Sequence, residues 1–456
     1  MAGIGFELRK LLQKQSYFGL LQAYAYAGII SSGPWVLSII GIIFVGFLSL
    51  GVVFPHTLIV QFQVSVTYLI VSSLILTGFI QLGFTRFIAD GLFKKLDERV
   101  MPNYNGMLLI VTGISGMCGL LAMFLFFSGM SVAYRLLMLS GFVTLCAIWV
   151  TTIFLSGMKQ YKAIVFLFAI GYAVTVLGAL LLRPLGMEGL LLGFVIGHFV
   201  LLTGMVVLIL RTFPSGAAIA FDFLRPGAMF SSLIWAGFLY NLGVWVDKLM
   251  FWFYPDTSQS IIGPLRASLI YDLPIFLAYL AIIPGMAVFL VRIETDFVEY
   301  YQKFYDAVRE GGSLEHIENM RDNMLFTISQ GLFEIVKIQA IAVLAVFVLG
   351  DTLLGWLGIS RLYLPLLYVD VVAAGLQVVL LGILNIFFYL DKRRIVVFLC
   401  LLFVSANIGF TSLSLHLGAA YYGYGFAISL LITVLAGMHL LSRKLDLLEY
   451  ETFMLQ

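Results

Sequence analysis

The stretch from Tyr104 to Phe127, YNGMLLIVTGISGMCGLLAMFLFF, contains no Asp, Glu, Lys or Arg. An uninterrupted apolar run longer than about 18 residues is long enough to cross a bilayer as a helix. It shows none of the one-in-two polar alternation of a barrel strand, so an outer-membrane barrel is excluded. The same pattern recurs along the whole chain. Of the 456 residues, 62% are hydrophobic and only 11% are charged, and the mean hydropathy is +1.06. A soluble domain carries roughly a quarter charged residues. The fold class is therefore an all-α polytopic membrane protein with about twelve transmembrane helices, and little chain remains for a soluble domain.

The expected spans are Phe18 to Leu50, Leu58 to Ile88, Tyr104 to Phe127, Val132 to Gly157, Ala163 to Leu182 and Gly189 to Leu210, then Met229 to Phe253, Leu265 to Val291, Leu325 to Leu349, Leu362 to Leu390, Ile395 to Leu417 and Tyr421 to Leu441. Between the two sets, the segment around Pro214, Ser215, Gly216 and Pro226 suits a linker. The expected organisation is an N-terminal six-helix lobe over 1–210, a cytoplasmic linker over 211–228, a C-terminal six-helix lobe over 229–445 and a cytoplasmic tail over 446–456.

Lys and Arg fix the orientation, because cytoplasmic loops retain basic residues. With the N-terminus inside, the outer ends carry only Arg135, Arg183, Arg266 and Arg361, while clusters such as Lys94, Lys95 and Arg99 or Lys392, Arg393 and Arg394 fall inside. Both termini are expected in the cytoplasm. The apolar run after the basic, amphipathic opening exceeds a signal-peptide core and lacks a small-residue cleavage site, so it reads as a retained first span. The amphipathic segment 294–323, with Phe297, Tyr300, Tyr301, Phe304, Tyr305 and Val308 at helical spacing and Gly311 and Gly312 as a break, reads as a helix in the headgroup plane or as a partner-docking arm.

An ionisable residue at membrane depth is costly, about 2.5 to 3.5 kcal/mol for Arg, Lys or Asp at mid-span on insertion scales, and therefore marks function or pairing. Glu334 and Lys337, three residues apart in the ninth span, share a helix face and are expected to neutralise each other, either as a structural pair or on a cavity wall. Asp247 and Lys248 are adjacent near the outer end of the seventh span, so they should point in different directions and not simply pair. Asp272 and Asp370 are single carboxylates in the eighth and tenth spans, each either partnered near the interface or available to a coupling proton or cation. In the first span, Ser31, Ser32, Gly33 and Pro34 predict a kink or gate, because proline removes a helix hydrogen bond.

Other chemistry finds no support. Cys118, Cys146 and Cys400 lie in apolar runs without metal-ligand spacing, and His56, His198, His316, His416 and His439 are scattered, so neither a metal nor another cofactor is expected. No phosphate-binding loop of an ATP-driven pump occurs, the charge balance of +2 gives no reason to expect nucleic acid, and no enzyme constellation is present.

Several motifs then carry a resemblance. Gly83 to Gly91 (GFTRFIADG) and Asp247-Lys248-Leu249-Met250 resemble the polysaccharide-flippase branch of the multidrug/oligosaccharidyl-lipid/polysaccharide (MOP) exporter superfamily. The opening MAGIGFELRKL (1–11) and GIISSGPW (28–35) are similar to the PelG family of Pel exopolysaccharide transporters. The resemblance implies two six-helix lobes around a central cavity, and translocation of an N-acetylhexosamine-rich polymer from the cytoplasm across the bacterial inner membrane to the periplasm for biofilm matrix, coupled to synthesis. It further implies a cytosolic PelF-like glycosyltransferase and inner-membrane PelD-like and PelE-like subunits as partners. Rival readings are a lipid-linked oligosaccharide flippase, an ion-coupled small-molecule antiporter, or a membrane scaffold for a polysaccharide synthase. An uncharged polymer calls for many weak contacts along its path. The expected path is therefore lined by Gln22, Tyr24, Tyr26, Ser31 and Ser32 from one lobe and Tyr240, Asn241 and Gln377 from the other, with Asp247, Lys248, Glu334, Lys337 and Asp370 as its charges.

Overall fold

The computed structural model describes residues 24, 27–28, 38, 41–42, 44–49, 51–157 and 160–454. Among them, the helices in chain order are α1 (Thr57–Phe93), α2 (Val100–Phe126), α3 (Val132–Gly157), α4 (Tyr161–Leu182), α5 (Met187–Thr212) and α6 (Ser231–Phe253). A short hairpin of β1 (Gln259–Ile262) and β2 (Leu265–Ala267) follows. The chain continues through α7 (Leu269–Leu280), α8 (Ile283–Val291), a π-helical turn (Arg292–Phe297), α9 (Val298–Arg309), α10 (Leu314–Trp356), α11 (Leu364–Tyr389), α12 (Arg393–Leu417), α13 (Tyr424–Asp446) and α14 (Leu448–Met454).

Among the described residues, nine helices are long and apolar enough to cross a membrane, or ten when α7 and the helix over 283–309, bent by 41° against each other, count as one span. Helix α6 falls outside that set because Asp247 and Lys248 lower its apolar character, yet at 23 residues it has the length of a span. The expected first span lies almost wholly outside the described residues.

The chain forms two compact units. One holds residues 33–245 and 255–268, the other 1–32, 246–254 and 269–456, so α6 contributes its first part to one and its last part to the other. In the first unit, Phe62, Phe84, Tyr104, Phe154 and Phe194 fill the core. Buried hydroxyls pair across helices: Tyr134 with Ser65 at 2.9 Å and Tyr104 with Thr151 at 2.8 Å. The segment after α5 is laced to α2, with Asn103 donating to the Asp222 carboxylate at 3.1 Å and accepting from its backbone N–H at 2.8 Å. The β-hairpin is held on α1 by Tyr68, whose hydroxyl donates to the Arg266 carbonyl at 2.8 Å.

In the second unit, α8, the π turn and α9 form one continuous helix that packs on α10. The amphipathic stretch is helical, as its periodicity predicts. However, it extends the preceding span instead of lying apart from it, because Phe297 and Phe304 are fully buried. Gly311 and Gly312 turn the chain, and Ser313 caps α10 by accepting from the His316 N–H. Helix α14 closes the chain with Glu451, which meets Lys392 at 2.5 Å and also Lys444. Burial raises the Glu451 carboxyl, but the two ammonium groups outweigh it and hold it below its ordinary value.

Two predictions follow from this packing. A Cβ on Gly193 of α5 would lie 2.2 Å from the Ala179 backbone nitrogen of α4, where nothing can yield. Gly193→Leu should therefore cost about 1–3 kcal/mol or more, read as a lowered melting temperature of the detergent-purified protein. For Glu451, a depressed carboxyl stabilises the docked tail above its unfolded pKa and loses that stabilisation as pH falls through the folded value. Glu451→Gln should expose the tail to protease at neutral pH, and the parent should match it only in acid.

Candidate functional site

The described part of the second unit encloses a set of charges inside its apolar helices. Asp247 and Lys248 of α6 are 0% and 1% exposed. Contrary to the expectation from their adjacency, they pair with each other, Lys248 Nζ standing 3.1 Å from Asp247 Oδ2. The Lys248 stem is long enough to fold back onto its neighbour, and burial without a counter-charge would be far costlier than that conformation. Tyr271 of α7 donates to Asp247 Oδ2 at 2.6 Å, while Asn407 of α12 reaches Oδ1 at 3.4 Å and accepts from Thr411 at 2.8 Å. The ammonium also lies 4.5 Å from the centre of the Phe426 ring and 3.5 Å from the Tyr279 hydroxyl. Tyr279 in turn donates to Gln377 of α11 at 2.9 Å. The apolar surroundings fix these groups: Tyr271 stacks on Phe251 at 3.8 Å between ring centres.

Asp370 of α11 belongs to the same set. It is fully buried, feels the charges of Lys248 and Asp247, and neither carboxylate oxygen has a hydrogen-bond partner. Gly423, at φ +83°, sits against it, since a Cβ there would lie 2.9 Å from Asp370 Oδ1. Two carboxylates thus share one ammonium, and one further positive charge, a proton or a cation, would balance the group. Among the described residues no group of three or more His, Cys, Asp or Glu could hold a metal ion.

A second set of charges surrounds the π turn. Arg292 makes a two-pronged contact with Glu334 of α10, Nε to Oε2 at 2.6 Å and a terminal nitrogen to Oε1 at 2.9 Å, and reaches Asp296 at 2.8 Å. The expected Glu334–Lys337 pair is therefore not formed. A guanidinium offers a planar fork that a flexible lysine three residues away cannot match. Lys337 is exposed on α10, and Tyr24 is half-buried beside Arg292, Glu334 and Asp296. Close by, Glu294 accepts from Asn385 at 2.6 Å and from Tyr389 at 3.0 Å.

The expected residues thus divide. Asp247, Lys248, Asp370 and Gln377 come together in one network, and Glu334 joins another with Tyr24. Tyr240 and Asn241 are half-buried in the first part of α6, Asn241 donating to the Gly237 carbonyl at 3.0 Å. Asp272 accepts from the Trp252 indole at 2.8 Å. Gln22, Tyr26, Ser31, Ser32, Gly33 and Pro34 lie outside the described residues. Tyr271, Tyr279, Asn407, Thr411, Arg292 and Glu294 were missed by sequence reasoning. The four-residue spacing of Asn407 and Thr411, which puts two polar groups on one face of an apolar helix, was a usable signal.

This arrangement, a bundle of membrane helices with charges buried inside it, has the fold of the MATE and MOP transporters. A multidrug-resistance MATE transporter of the MOP superfamily in an outward-facing conformation matches at TM-score 0.65 and 13% identity, over 93% of this chain and 96% of that one. A MATE transporter in a bent conformation matches at TM-score 0.63 and 11% identity, over 94% and 96%. A MOP superfamily transporter from Pyrococcus furiosus, described as having a binding pocket of reverse polarity, matches at 0.60 and 12%, over 93% and 96%. No curated relative matches the sequence. The chain belongs to the family described as "PelG: Putative exopolysaccharide Exporter (EPS-E)", whose match covers residues 1–453. The resemblance carried by the opening motifs and the all-helical polytopic fold are both borne out: the protein is a multi-pass membrane protein of an exopolysaccharide-exporter family.

Removing either member of the Asp247–Lys248 pair leaves a buried charge without its counter-ion. Asp247→Asn and Lys248→Met should each destabilise the protein by about 3–5 kcal/mol, and the double change by less than their sum. Thermal unfolding of the three purified variants measures this.

Proposed function

We propose that the protein conducts the Pel polysaccharide, an N-acetylhexosamine-rich polymer, outward from cytoplasm to periplasm through the inner membrane for biofilm matrix, as the polymer is synthesised. The observation that carries this reading is the exopolysaccharide-exporter family match over nearly the entire chain. The distribution of Lys and Arg supports two cytoplasmic termini. A PelF-like glycosyltransferase would then deliver the growing chain from the cytosol, with PelD-like and PelE-like membrane subunits beside the exporter. The half-buried uncharged groups Tyr24, Tyr240, Asn241 and Gln377 have the chemistry that weak, repeated sugar contacts require. We also retain the six-plus-six division at the linker as part of this proposal.

One observation favours a coupled step within this function. Asp370, Asp247 and Lys248 leave an unbalanced carboxylate in an apolar bundle, and neutralising it changes the local electrostatics enough to bias a conformational equilibrium. In this reading Asp370 accepts the balancing charge in one conformation and releases it in the other.

Reconstitution tests both. Liposomes carrying the synthase subunits and supplied with sugar nucleotide should accumulate glycosidase-protected polymer in the lumen only when this chain is present, and protection without it overturns the exporter reading. In the same assay Asp370→Asn, at equal protein level, should lower protected polymer at least tenfold. Parental export by that variant would make Asp370 structural.

A further inference from the structure

We propose that the exposed face of α10 around Lys337 docks a transmembrane helix of a different subunit, one that carries an Asp or Glu near mid-membrane. Leu325 to Leu349 is an apolar run interrupted only by Glu334 and Lys337, so Lys337 stands at its centre. Arg321 lies about 24 Å along the helix on one side and Asp351 about 21 Å on the other, at 1.5 Å per residue. The half-thickness of the hydrocarbon is about 15 Å. From there a four-carbon stem cannot carry the ammonium to water.

Nothing in the described chain neutralises it. Glu334, one turn away, is held by Arg292, and Lys337 has no hydrogen bond or ion pair among the described residues. Its surroundings are those of a lipid-facing or partner-facing surface. Helix α10 is one of the two least buried spans among the described residues. Phe326, Phe333, Ile341, Leu344 and Val348, at three- and four-residue spacing along the same side, are all exposed, Phe333 at 68%. An apolar stripe with one cation at its centre fits an apolar helix with one carboxylate at its own.

A second copy of this chain does not meet the requirement. Among the described residues, the carboxylates inside the spans are already engaged or buried: Asp247 with Lys248, Asp272 with Trp252, Glu334 with Arg292, and Asp370 with no surface at all. A two-fold dimer through this face would also bring two ammonium groups together. The occupant is therefore another polypeptide, and the inference is independent of what the exporter carries.

The test places benzoylphenylalanine at position 333 or 341 of the full chain in native membranes, with the subunits encoded alongside it. Expected is an ultraviolet cross-link to one polypeptide whose membrane helix bears an Asp or Glu. Lys337→Met, which eases membrane insertion by removing a charge, should reduce that cross-link at least tenfold at undiminished protein level, while Lys337→Arg retains it. Lys337→Glu should abolish it, and Lys substituted for the partner's acid should restore it with Lys337→Glu alone. Cross-links only to lipid, or to a second copy of this chain, overturn the proposal, as does a cross-link unchanged in Lys337→Met.

Discussion

A charge inside an apolar bundle must be neutralised where it sits, and the Asp247–Lys248 pair shows how much structure that demand organises. Both groups come from one helix, yet their satisfaction draws on four others: Tyr271 and Tyr279 from α7, Gln377 and Asp370 from α11, Asn407 from α12 and the Phe426 ring from α13. Breaking such a pair exposes the full cost of a bare ion in a medium of low dielectric. The helices of this unit are thus tied to a polar centre as well as to their apolar contacts.

At the other set of charges the same demand is met differently. Arg292 and Glu334 are each about a quarter exposed, and their contact is a two-pronged one between the π turn and α10. Water screens such a pair, so it contributes less energy than the buried one, but its geometry is more exacting. The hairpin of α9 and α10 continues from this contact, and the tail helix closes on Lys392 and Lys444 through Glu451. Interior charges here fix a bundle, while peripheral charges fix the ends of long helices.

Most of the architecture was legible in the sequence because hydrophobic length is a one-dimensional signal. Each expected span from Leu58 onward corresponds to a helix, and even α6, too polar to stand out by composition, was placed within two residues of its start. Pairing was not legible in the same way. The spacing of Glu334 and Lys337 says that they can meet, not that a guanidinium from another element competes better. The adjacency of Asp247 and Lys248 suggested divergence because backbone direction is readable and side-chain reach is not. Likewise, proline and glycine marked the segment after α5 as a linker, but nothing local foretold that Asn103 would bind Asp222.

The π turn at Arg292–Phe297 makes the length of this segment a quantity in its own right. A π turn holds one residue more than the α-helix it interrupts, and each residue advances a helix by about 100°. A lineage that lost one residue here would keep a smooth helix but swing everything after it through that angle. Phe304, now sealed against its neighbours, would leave its socket, and Asp306 would approach the apolar side. Single-residue deletions are ordinary events in coding sequence, but in this stretch they are equivalent to re-addressing an entire helix face.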